Sequence, residues 1–314
     1  MSKISIVVPV YYNADTLELL YADMKEKILG KIGDYELVFV DDGSGDNSWE
    51  IIQKIAAMDP NVVCTKLSRN FGEHAALLAG LSVCTGDCAV TKQADLQEDS
   101  TLILDMYESW KRGNKVVLAI RESRDENPIK KFFAGCYYWL VRKTINKDMP
   151  QGGCDCYLVD RQVIKVLQMM DEKNSSLTLQ VMWVGFKTEK IYFHRKDREV
   201  GKSRWTLAKK VKLVVDSMMS FTYFPIRFMA TMGFVFALLA LVGIIMVIRE
   251  KLVLGTPILG YASIMSVVLF GFGVIFIMLS ILGEYIWRAL EEARNRPPFI
   301  IDEVRRPDGD AKKD

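Results

Sequence analysis

Polar side chains that could bind a ligand or an ion follow each of four apolar, strand-like runs. Residues 9–13 follow the first run, Asp41 and Asp42 the second, residues 68–70 the third and Gln93–Asp95 the fourth. Carboxylates and amides accept hydrogen bonds from hydroxyl groups, and carboxylates also bind hard cations. The chemistry of the chain is therefore expected where these four runs end.

The runs that precede these residues alternate with amphipathic patterns. Apolar, β-branched segments are KISIVVPVY, YELVFVDD, NVVCTKL, CAVTKQAD and NKVVLAI, and helical patterns lie near 14–30, 47–58, 72–84 and 100–112. This alternation predicts an α/β fold with a mostly parallel sheet and helices on both faces. Because such sheets bind ligands beyond the carboxyl ends of their strands, the polar residues should face one cleft.

Two common nucleotide-binding motifs are missing from the sequence. The first run leads into PVYYNAD without G-x-G-x-x-G, which disfavours NAD and FAD, and no G-x-x-x-x-G-K-[ST] occurs. The 314 residues carry a net charge of +2, which gives no global attraction for nucleic acid. The six cysteines and two histidines lack the usual zinc-site spacing and are expected to be structural.

Two long apolar segments in the C-terminal third predict membrane spans. No charge occurs from Phe228 to Ile248, and a second uncharged run extends from Leu252 to Gly283. Since about 20 apolar residues cross a bilayer core, we predict transmembrane helices over 227–249 and 259–286, joined by a short extracytoplasmic loop over 250–258. Two buried core helices are the alternative.

Lysines and arginines flank this pair of helices on its outer sides. The positive-inside bias then places the globular domain, 1–204, and the tail, 287–314, in the cytosol. Residues 205–226 have apolar positions at steps of three and four, which predicts an amphipathic helix in the headgroup layer or, alternatively, a packed surface helix. No signal-peptide pattern opens the chain, and RRPDGDAKKD is expected to be a disordered tail.

Several motifs taken together resemble a known enzyme family. They are VVPVYYNAD, VFVDDGSGDNS, LSRNFGEHAALLAGL, QADLQEDS, GGCDCYLVDR, REVGKSRW and GEYIWRALEEARNRPPF, in this order over nearly the whole chain. The chain is similar to the membrane-anchored polyprenyl-phosphate glycosyltransferases of glycosyltransferase family 2, which include bactoprenol glucosyltransferases and dolichol-phosphate mannose synthase. The resemblance implies a GT-A, Rossmann-like domain ahead of the interface helix and the two spans.

The resemblance also implies a metal site in the stretch TKQADLQEDS. The family has aspartates at positions 93 and 95, and the second one binds Mg²⁺ or Mn²⁺ that bridges a diphosphate. Asp95 matches and is the implied catalytic metal ligand, with a turn or capping role as the alternative. Gln93 departs from the pattern, so one carboxylate is missing and the metal affinity is in question. Further along, Asp99 or Ser100 has the position of a helix N-cap.

The implied donor is a UDP-sugar. By the same resemblance, the segment after the first strand would line the base pocket, and the two acidic residues after the second would reach the uridine. Arg69 has two interpretations: it binds the donor, or it forms a structural pair with another residue. The implied donor-binding residues are Pro9, Tyr11, Asn13, Asp41, Asp42, Arg69, Gln93 and Ala94.

The implied acceptor is a polyprenyl phosphate. A phosphate monoester has a second pKa of about 6, so the acceptor is largely dianionic and needs no strong base. Asp155 is then expected to orient the acceptor or to stabilise positive charge at the sugar carbon, with a structural pairing to an arginine as the alternative. Two anionic reactants require cations between them. Candidates for acceptor binding are Arg121, Arg198, Lys202 and Ser203, and Arg124 and Arg204 are either binding or solvated residues.

The preferred hypothesis is an inverting transferase that moves one sugar, glucose from UDP-glucose, onto undecaprenyl phosphate. It would act at the cytoplasmic face of the bacterial inner membrane as a multi-pass homo-oligomer, a tetramer by resemblance. One alternative is another sugar, an N-acetylhexosamine or an aminoarabinose derivative. A processive polysaccharide synthase is a second alternative, but it would carry a Gln-x-x-Arg-Trp motif, which QVMWVG and KSRW do not form. A third alternative is an inactive sugar-nucleotide-binding scaffold, in which Gln93 would mark the loss of catalysis.

Overall fold

The structure, a computed structural model, divides into two compact units. It describes residues 2–122, 135, 138–143, 145–147, 149–150, 153–154, 156–170, 175–194, 207–249, 252–253 and 260–306. One unit comprises Met1–Asp216 together with Arg296–Asp314, and the other comprises Ser217–Asn295.

The first unit is built on a mixed, mostly parallel sheet. Its strands have the spatial order β7-β5-β6-β4-β1-β2-β3-β8, and all neighbours are parallel except those of β6 and the pair β3–β8. The strands are β1 Lys3–Val10, β2 Asp34–Asp41, β3 Val62–Leu67, β4 Cys88–Thr91, β5 Val116–Arg121, β6 Cys156–Asp160, β7 Thr188–Phe193 and β8 Ile301–Arg305.

Helices cover both faces of this sheet, as the alternating pattern predicts. Ile4 and Ile6 of β1 pack into the cluster on one face, whereas Val7 packs with α3 on the other. Burial on both faces explains why the central strands are continuous apolar runs. The helices of this part are α1 Ala14–Met24, which continues as a π-helical segment over Lys25–Leu29, α2 Ser48–Met58, α3 Glu73–Val83, α4 Leu102–Lys111, α5 Arg161–Gln168 and α6 Leu177–Trp183.

The strand β8 corrects one expectation from the sequence. Arg305 ends β8 and pairs with Cys64 of β3, and the Arg306 guanidinium donates to the carbonyl of Val83, so the expected disordered tail is wrong for these two residues. The remaining tail residues, 307–314, lie outside the described residues. Antiparallel pairing with β8 covers the β3 edge, which would otherwise leave its backbone groups without partners.

Three further helices follow in sequence: α7 Leu207–Phe221, α8 Phe224–Arg249 and α9 Tyr261–Ala293. The windows Phe224–Gly243 and Phe270–Ala293 have mean hydropathies of 2.0 and 1.8, and none of their residues is buried within the protein. Apolar side chains exposed all round a helix are typical of a membrane span rather than of a soluble core. The alternative of two buried core helices is thereby disfavoured.

Glu36 ties the amino-terminal end of the sheet together. Its buried carboxylate accepts hydrogen bonds from the Ser5 hydroxyl at 2.5 Å, from the Thr85 hydroxyl at 2.8 Å and from the Gly86 amide at 3.2 Å. The Lys3 ammonium lies 3.5 Å away. Burial acts to raise the pKa of Glu36, but the hydrogen bonds from Ser5 and Thr85 and the charge of Lys3 outweigh it, so the pKa lies below its ordinary value of 4.5.

We predict that Glu36→Gln lowers the free energy of unfolding by about 1–3 kcal/mol, because an amide nitrogen would then face buried donors. The effect should shrink as the pH falls below 4.5, since the stability from a carboxylate with a lowered folded pKa is lost as it protonates. Thermal unfolding of the detergent-purified protein measures it. Glu108→Gln, which removes an exposed pair with Lys111, is the matched control and should change stability by less than about 1 kcal/mol. Equal effects of the two variants would contradict this assignment.

Candidate active site

The sheet opens at the carboxyl ends of β1 and β4. Pairing between these strands stops at Val7 and Thr91, whereas pairing of β1 with β2 continues to Val10 and Asp41. The chain proceeds from β1 to one side of the sheet through β2 and β3 and then returns to the other side at β4. Such a reversal of strand order creates a crevice that suits a ligand.

Pro9 is buried in β1 beside this opening. The Val7 carbonyl accepts from the Lys92 amide at 2.9 Å and therefore points toward β4. Backbone groups two residues apart point to the same side of a strand, so the Pro9 nitrogen also faces the β4 side, beyond the last paired residue. A proline lacks an amide donor but breaks no ladder hydrogen bond here. Pro9 therefore forms part of the crevice wall, where the sequence predicts the donor base.

The segment after β1 forms a short ordered turn. The Tyr11 amide donates to the Asn13 side-chain oxygen at 3.0 Å, and the Asn13 amide donates to the Ser48 hydroxyl at 3.0 Å. Tyr12 has a φ of 56°, and its ring meets that of Tyr11 edge to face at 4.8 Å. A positive φ is uncommon for a bulky residue and is found preferentially at functional sites. The sequence analysis did not single out Tyr12, whose positive φ shapes this turn.

Asp42 holds the loop that follows β3. Its buried carboxylate accepts from the Phe71 amide at 2.7 Å, the Gly72 amide at 2.9 Å and the Asn70 side chain at 3.0 Å. Burial raises the pKa of Asp42, and the backbone hydrogen bonds oppose that rise. Because three protein donors already use both oxygens, Asp42 positions the loop, and the structure lends little support to the predicted contact between this side chain and the uridine.

Asp41 is buried beside it with a different set of partners. Its Oδ1 accepts from the Ser44 amide at 3.2 Å, while Oδ2 has no hydrogen-bond partner within the part of the chain that the structure describes. Burial raises the pKa of the Asp41 carboxyl, and the hydrogen bonds from Ser44 act against this. A buried acceptor without a donor costs free energy, so the Asp41 oxygen at the end of β2 is a candidate acceptor for a ligand.

The loops after β2 and β3 are in direct backbone contact at Gly43. Its φ is +66°, and a Cβ added there would lie 2.6 Å from the Arg69 carbonyl carbon and 2.7 Å from the Asn70 nitrogen. The exposed Arg69 guanidinium lies 4.0 Å from the Phe71 ring centroid and donates to the Asn70 carbonyl at 3.2 Å. These contacts hold the backbone of Arg69 beside the end of β2 and leave its charged head at the surface.

The segment after β4 carries the predicted metal ligand. Asp95 is half-buried, and its Oδ1 accepts from the Gln97 amide at 3.3 Å. Gln93 donates from Nε2 to Glu73 Oε1 at 2.7 Å, and Ala94 is buried in the core below. The sequence prediction missed Glu73, whose only signal is an acidic residue at the first position of α3.

A buried ion pair lies at the base of this segment. The Lys92 ammonium donates to the Glu98 carbonyl at 2.5 Å and lies 3.8 Å from the Glu98 carboxylate, and both side chains are almost fully buried. The two residues bracket Asp95 in sequence, so this contact closes the segment into a loop. Beyond it, α4 begins at Leu102 with Thr101 at its N-cap position, and the capping side chain is that of Asp99, which accepts from the Thr101 amide at 3.0 Å.

Of the predicted acceptor-binding residues, the structure describes Arg121. It ends β5 at the same edge of the sheet as Asp95, because β5 is parallel to β4 through their common antiparallel neighbour β6. Burial and the charge of Glu98 raise the pKa of the buried Cys154 thiol to about 12, and the charge of Arg121 acts to lower it. The predicted residues Asp155, Arg198, Lys202 and Ser203, and also Arg124 and Arg204, lie outside the described residues.

The oxygen donors of Asp95 and Gln93 are of the type that binds a hard divalent cation together with substrate phosphates. Among the described residues, no three His, Cys, Asp or Glu side chains form a group that could enclose a metal ion. The available groups are the Asp95 carboxylate and the carbonyl oxygen of Gln93, both oxygen donors. Mg²⁺ is commonly bound in this way, by one or two protein oxygens together with substrate phosphates.

Comparison with known proteins identifies the family. The Glycosyl transferase family 2 profile matches residues 5–153. The uncharacterized glycosyltransferase YkcC of Bacillus subtilis is 35% identical over 95% of this chain and 92% of its own length. The prophage bactoprenol glucosyl transferase homolog of Escherichia coli is 33% identical over 97% of this chain and 100% of its own. The chain belongs to glycosyltransferase family 2.

Membership of this family confirms the predicted enzyme class and the GT-A fold. A solved structure, the mannosyltransferase PcManGT from Pyrobaculum calidifontis in complex with GDP-Man and Mn²⁺, is similar with a TM-score of 0.49 and 16% identity, over 67% of this chain and 60% of that one. The similarity to bactoprenol transferases covers the apolar helices as well as the sheet. Together with the exposure of α8 and α9, this supports association of the glycosyltransferase with a membrane.

We predict that alanine destabilises this glycosyltransferase at Gly43 but not at Gly30. Gly43→Ala should lower stability by roughly 1–3 kcal/mol and weaken nucleotide binding, because a left-handed residue would gain a Cβ against the Arg69 backbone. Gly30→Ala is the control, since Gly30 has a φ of −71° and open space around it. It should leave stability unchanged or raise it by about 0.4–1 kcal/mol. Thermal unfolding with and without UDP measures both, and a neutral Gly43→Ala would contradict the contact.

Proposed function

We propose that this glycosyltransferase moves a single glucose from UDP-glucose onto a polyprenyl phosphate, undecaprenyl phosphate, with inversion at the sugar carbon. The observation that carries the proposal is that the Asp95 loop after β4 and the buried Asp41 oxygen at the end of β2 lie at the same edge of the sheet, on either side of β1, and that this oxygen has no partner among the described residues. Relatives of full-length similarity, named bactoprenol glucosyl transferases, support the choice of sugar and acceptor.

The nucleoside would occupy the end of the crevice formed by β1 and β2. Asp41 Oδ2 is the acceptor for a ribose hydroxyl or the uracil imide, which would satisfy the buried oxygen. Tyr11 and Pro9 would border the base, while Asn13 keeps the Tyr11 backbone in place. Asp42 acts through the loop it holds, which carries Arg69.

The diphosphate would lie between Arg69 and the Asp95 loop. The exposed Arg69 guanidinium can pair with its oxygens, and guanidinium–phosphate pairs are strong and directional. Asp95, with the carbonyl oxygen of Gln93 and with Ala94 beneath, would hold Mg²⁺ or Mn²⁺. When bound, this ion would neutralise the negative charge that develops on the leaving diphosphate.

The acceptor phosphate would approach from the β5 side of the crevice. Arg121, with Arg198, Lys202 and Ser203, would pair with the lipid phosphate and bring it close to the anionic donor. The phosphate is its own nucleophile at neutral pH, so Asp155 would orient it rather than remove a proton. Rate enhancement then comes mainly from positioning and charge neutralisation.

The proposed topology follows from the helices and the distribution of charge. Residues 1–204 would form the cytosolic catalytic domain and 205–226, with α7, the interface helix. The helices α8 and α9 would cross the bacterial inner membrane, so that the loop 250–258 is extracytoplasmic and 287–314 returns to the cytosol. We also propose that the protein forms a homo-oligomer, namely a tetramer.

An assay of lipid extracts tests this function. Membranes that contain the protein are incubated with radiolabelled UDP-glucose and undecaprenyl phosphate, with Mg²⁺ or with EDTA, and the lipid is extracted. We expect one labelled sugar on the lipid with Mg²⁺ and none with EDTA. If the lipid is labelled only with another UDP-sugar, that sugar nucleotide replaces UDP-glucose as the donor. A long polymer would indicate a processive synthase. Binding of UDP-sugar without transfer to lipid would indicate a scaffold.

We predict that Asp95→Asn lowers the initial rate in this assay by roughly 100-fold or more, because a group that stabilises developing charge is lost. Asp99→Asn is the control, since asparagine can still accept the hydrogen bond from Thr101. Its rate should stay within about twofold of the wild type. A metal-independent rate, or an active Asp95→Asn variant, would remove the role assigned to Asp95.

A further inference from the structure

The side chain of Gln93 is held by a carboxylate from another element. Its Nε2 donates to Glu73 Oε1 at 2.7 Å. Gln93 lies in the segment after β4, whereas Glu73 begins α3. Gln93 stands where the resemblance to the family leads one to expect the first carboxylate of the metal site. The contact with Glu73 therefore bears on how this site works without that carboxylate.

The contact fixes which end of the Gln93 amide faces Glu73. A glutamine amide has a carbonyl oxygen, which can bind a cation, and an NH₂ group, which cannot. Glu73 is an acceptor when ionised, so it selects the orientation in which the NH₂ group points toward α3. The Gln93 Oε1 atom then lies on the other side of the amide.

Glu73 is itself well placed to remain an acceptor. It is the first residue of α3, where the helix dipole favours a negative charge. The preceding residue, Gly72, has a φ of +97°, and its amide donates to Asp42 at 2.9 Å. The backbone that carries Glu73 is thus anchored by the same carboxylate that orders the loop after β3.

We propose that Glu73 is a positioning residue that orients the Gln93 amide so that its carbonyl oxygen replaces the expected carboxylate oxygen toward the cation and the diphosphate. This inference rests on the proposed function, since it assumes a UDP-sugar and a divalent ion beside Asp95. It makes the carboxylate at 73 and the amide at 93 a functional pair.

The pairing predicts a specific failure. Gln93→Asp, which restores the family residue, would remove the donor to Glu73 and place a second carboxylate near it, and nearby like charges disfavour joint ionisation. The exchanged pair, Glu73→Gln with Gln93→Asp, would restore a donor at 73 and an acceptor at 93. The double variant should therefore bind better than the single Gln93→Asp variant.

Calorimetric binding of UDP to the full-length protein in detergent, with and without Mn²⁺, tests the pair. Glu73→Ala should weaken Mn²⁺-dependent UDP binding roughly tenfold, in line with the loss of an outer-shell partner of a metal ligand, and should leave binding without metal unchanged. Gln93→Asp should weaken it at least as much. The double exchange should recover to within about threefold of the wild type, a coupling typical of residues in contact.

Glu50→Ala is the matched control, because Glu50 is also an exposed acidic residue in the first turn of a helix of the same domain. It should not change binding. Additive effects of the two exchanges, or tighter Mn²⁺-dependent binding by Gln93→Asp alone, would overturn the inference while the proposed function stands. Failure of the wild type to bind UDP with Mn²⁺ would overturn both. Thermal unfolding of each variant separates lost folding from lost binding.

Discussion

A single buried carboxylate, that of Asp42, determines how the loops of the active site are arranged. Removing a charge from water is costly unless donors replace the water, and here two amides and one side chain of the loop after β3 do so. The loop must therefore lie against the end of β2. This contact explains the need for glycine at position 43, and it places the start of α3, with Glu73, beside the segment that follows β4.

Asp41 and Asp42 are neighbours in sequence yet have different physical roles. Asp42 has its donors in the protein, so its contribution is to the stability and shape of the site. Asp41 keeps a buried oxygen without a donor among the described residues, which is unfavourable in the absence of ligand. In the function proposed above, this oxygen would accept a hydrogen bond from the nucleoside, which would compensate for its burial.

The sequence was sufficient for the elements whose signal is local. The five strands β1 to β5 and the four helices α1 to α4 are continuous apolar runs and amphipathic patterns, and all nine were predicted. β8 was missed because it is a short, half-buried strand whose partner, β3, lies more than 200 residues earlier in the chain. Gln93 could be recognised as a departure from the family, but its partner Glu73 could not, since their contact depends on the packing of α3 against β1 and β2. The roles assigned to donor, metal and acceptor residues remain predictions.

The loop that carries Asp95 shows how the missing carboxylate can be tolerated. Lys92 and Glu98 close its base through a buried contact, and Leu96 within it has a φ of 58°, so contacts within the protein constrain the backbone that carries Asp95. With Gln93 neutral, a bound cation would have one negative ligand fewer and would keep more of its charge for the leaving diphosphate. Its affinity for the protein alone would be lower for the same reason. Glu73, one hydrogen bond away, would supply negative charge at a longer distance, where it would stabilise a bound ion without cancelling the effect of that ion on the substrate.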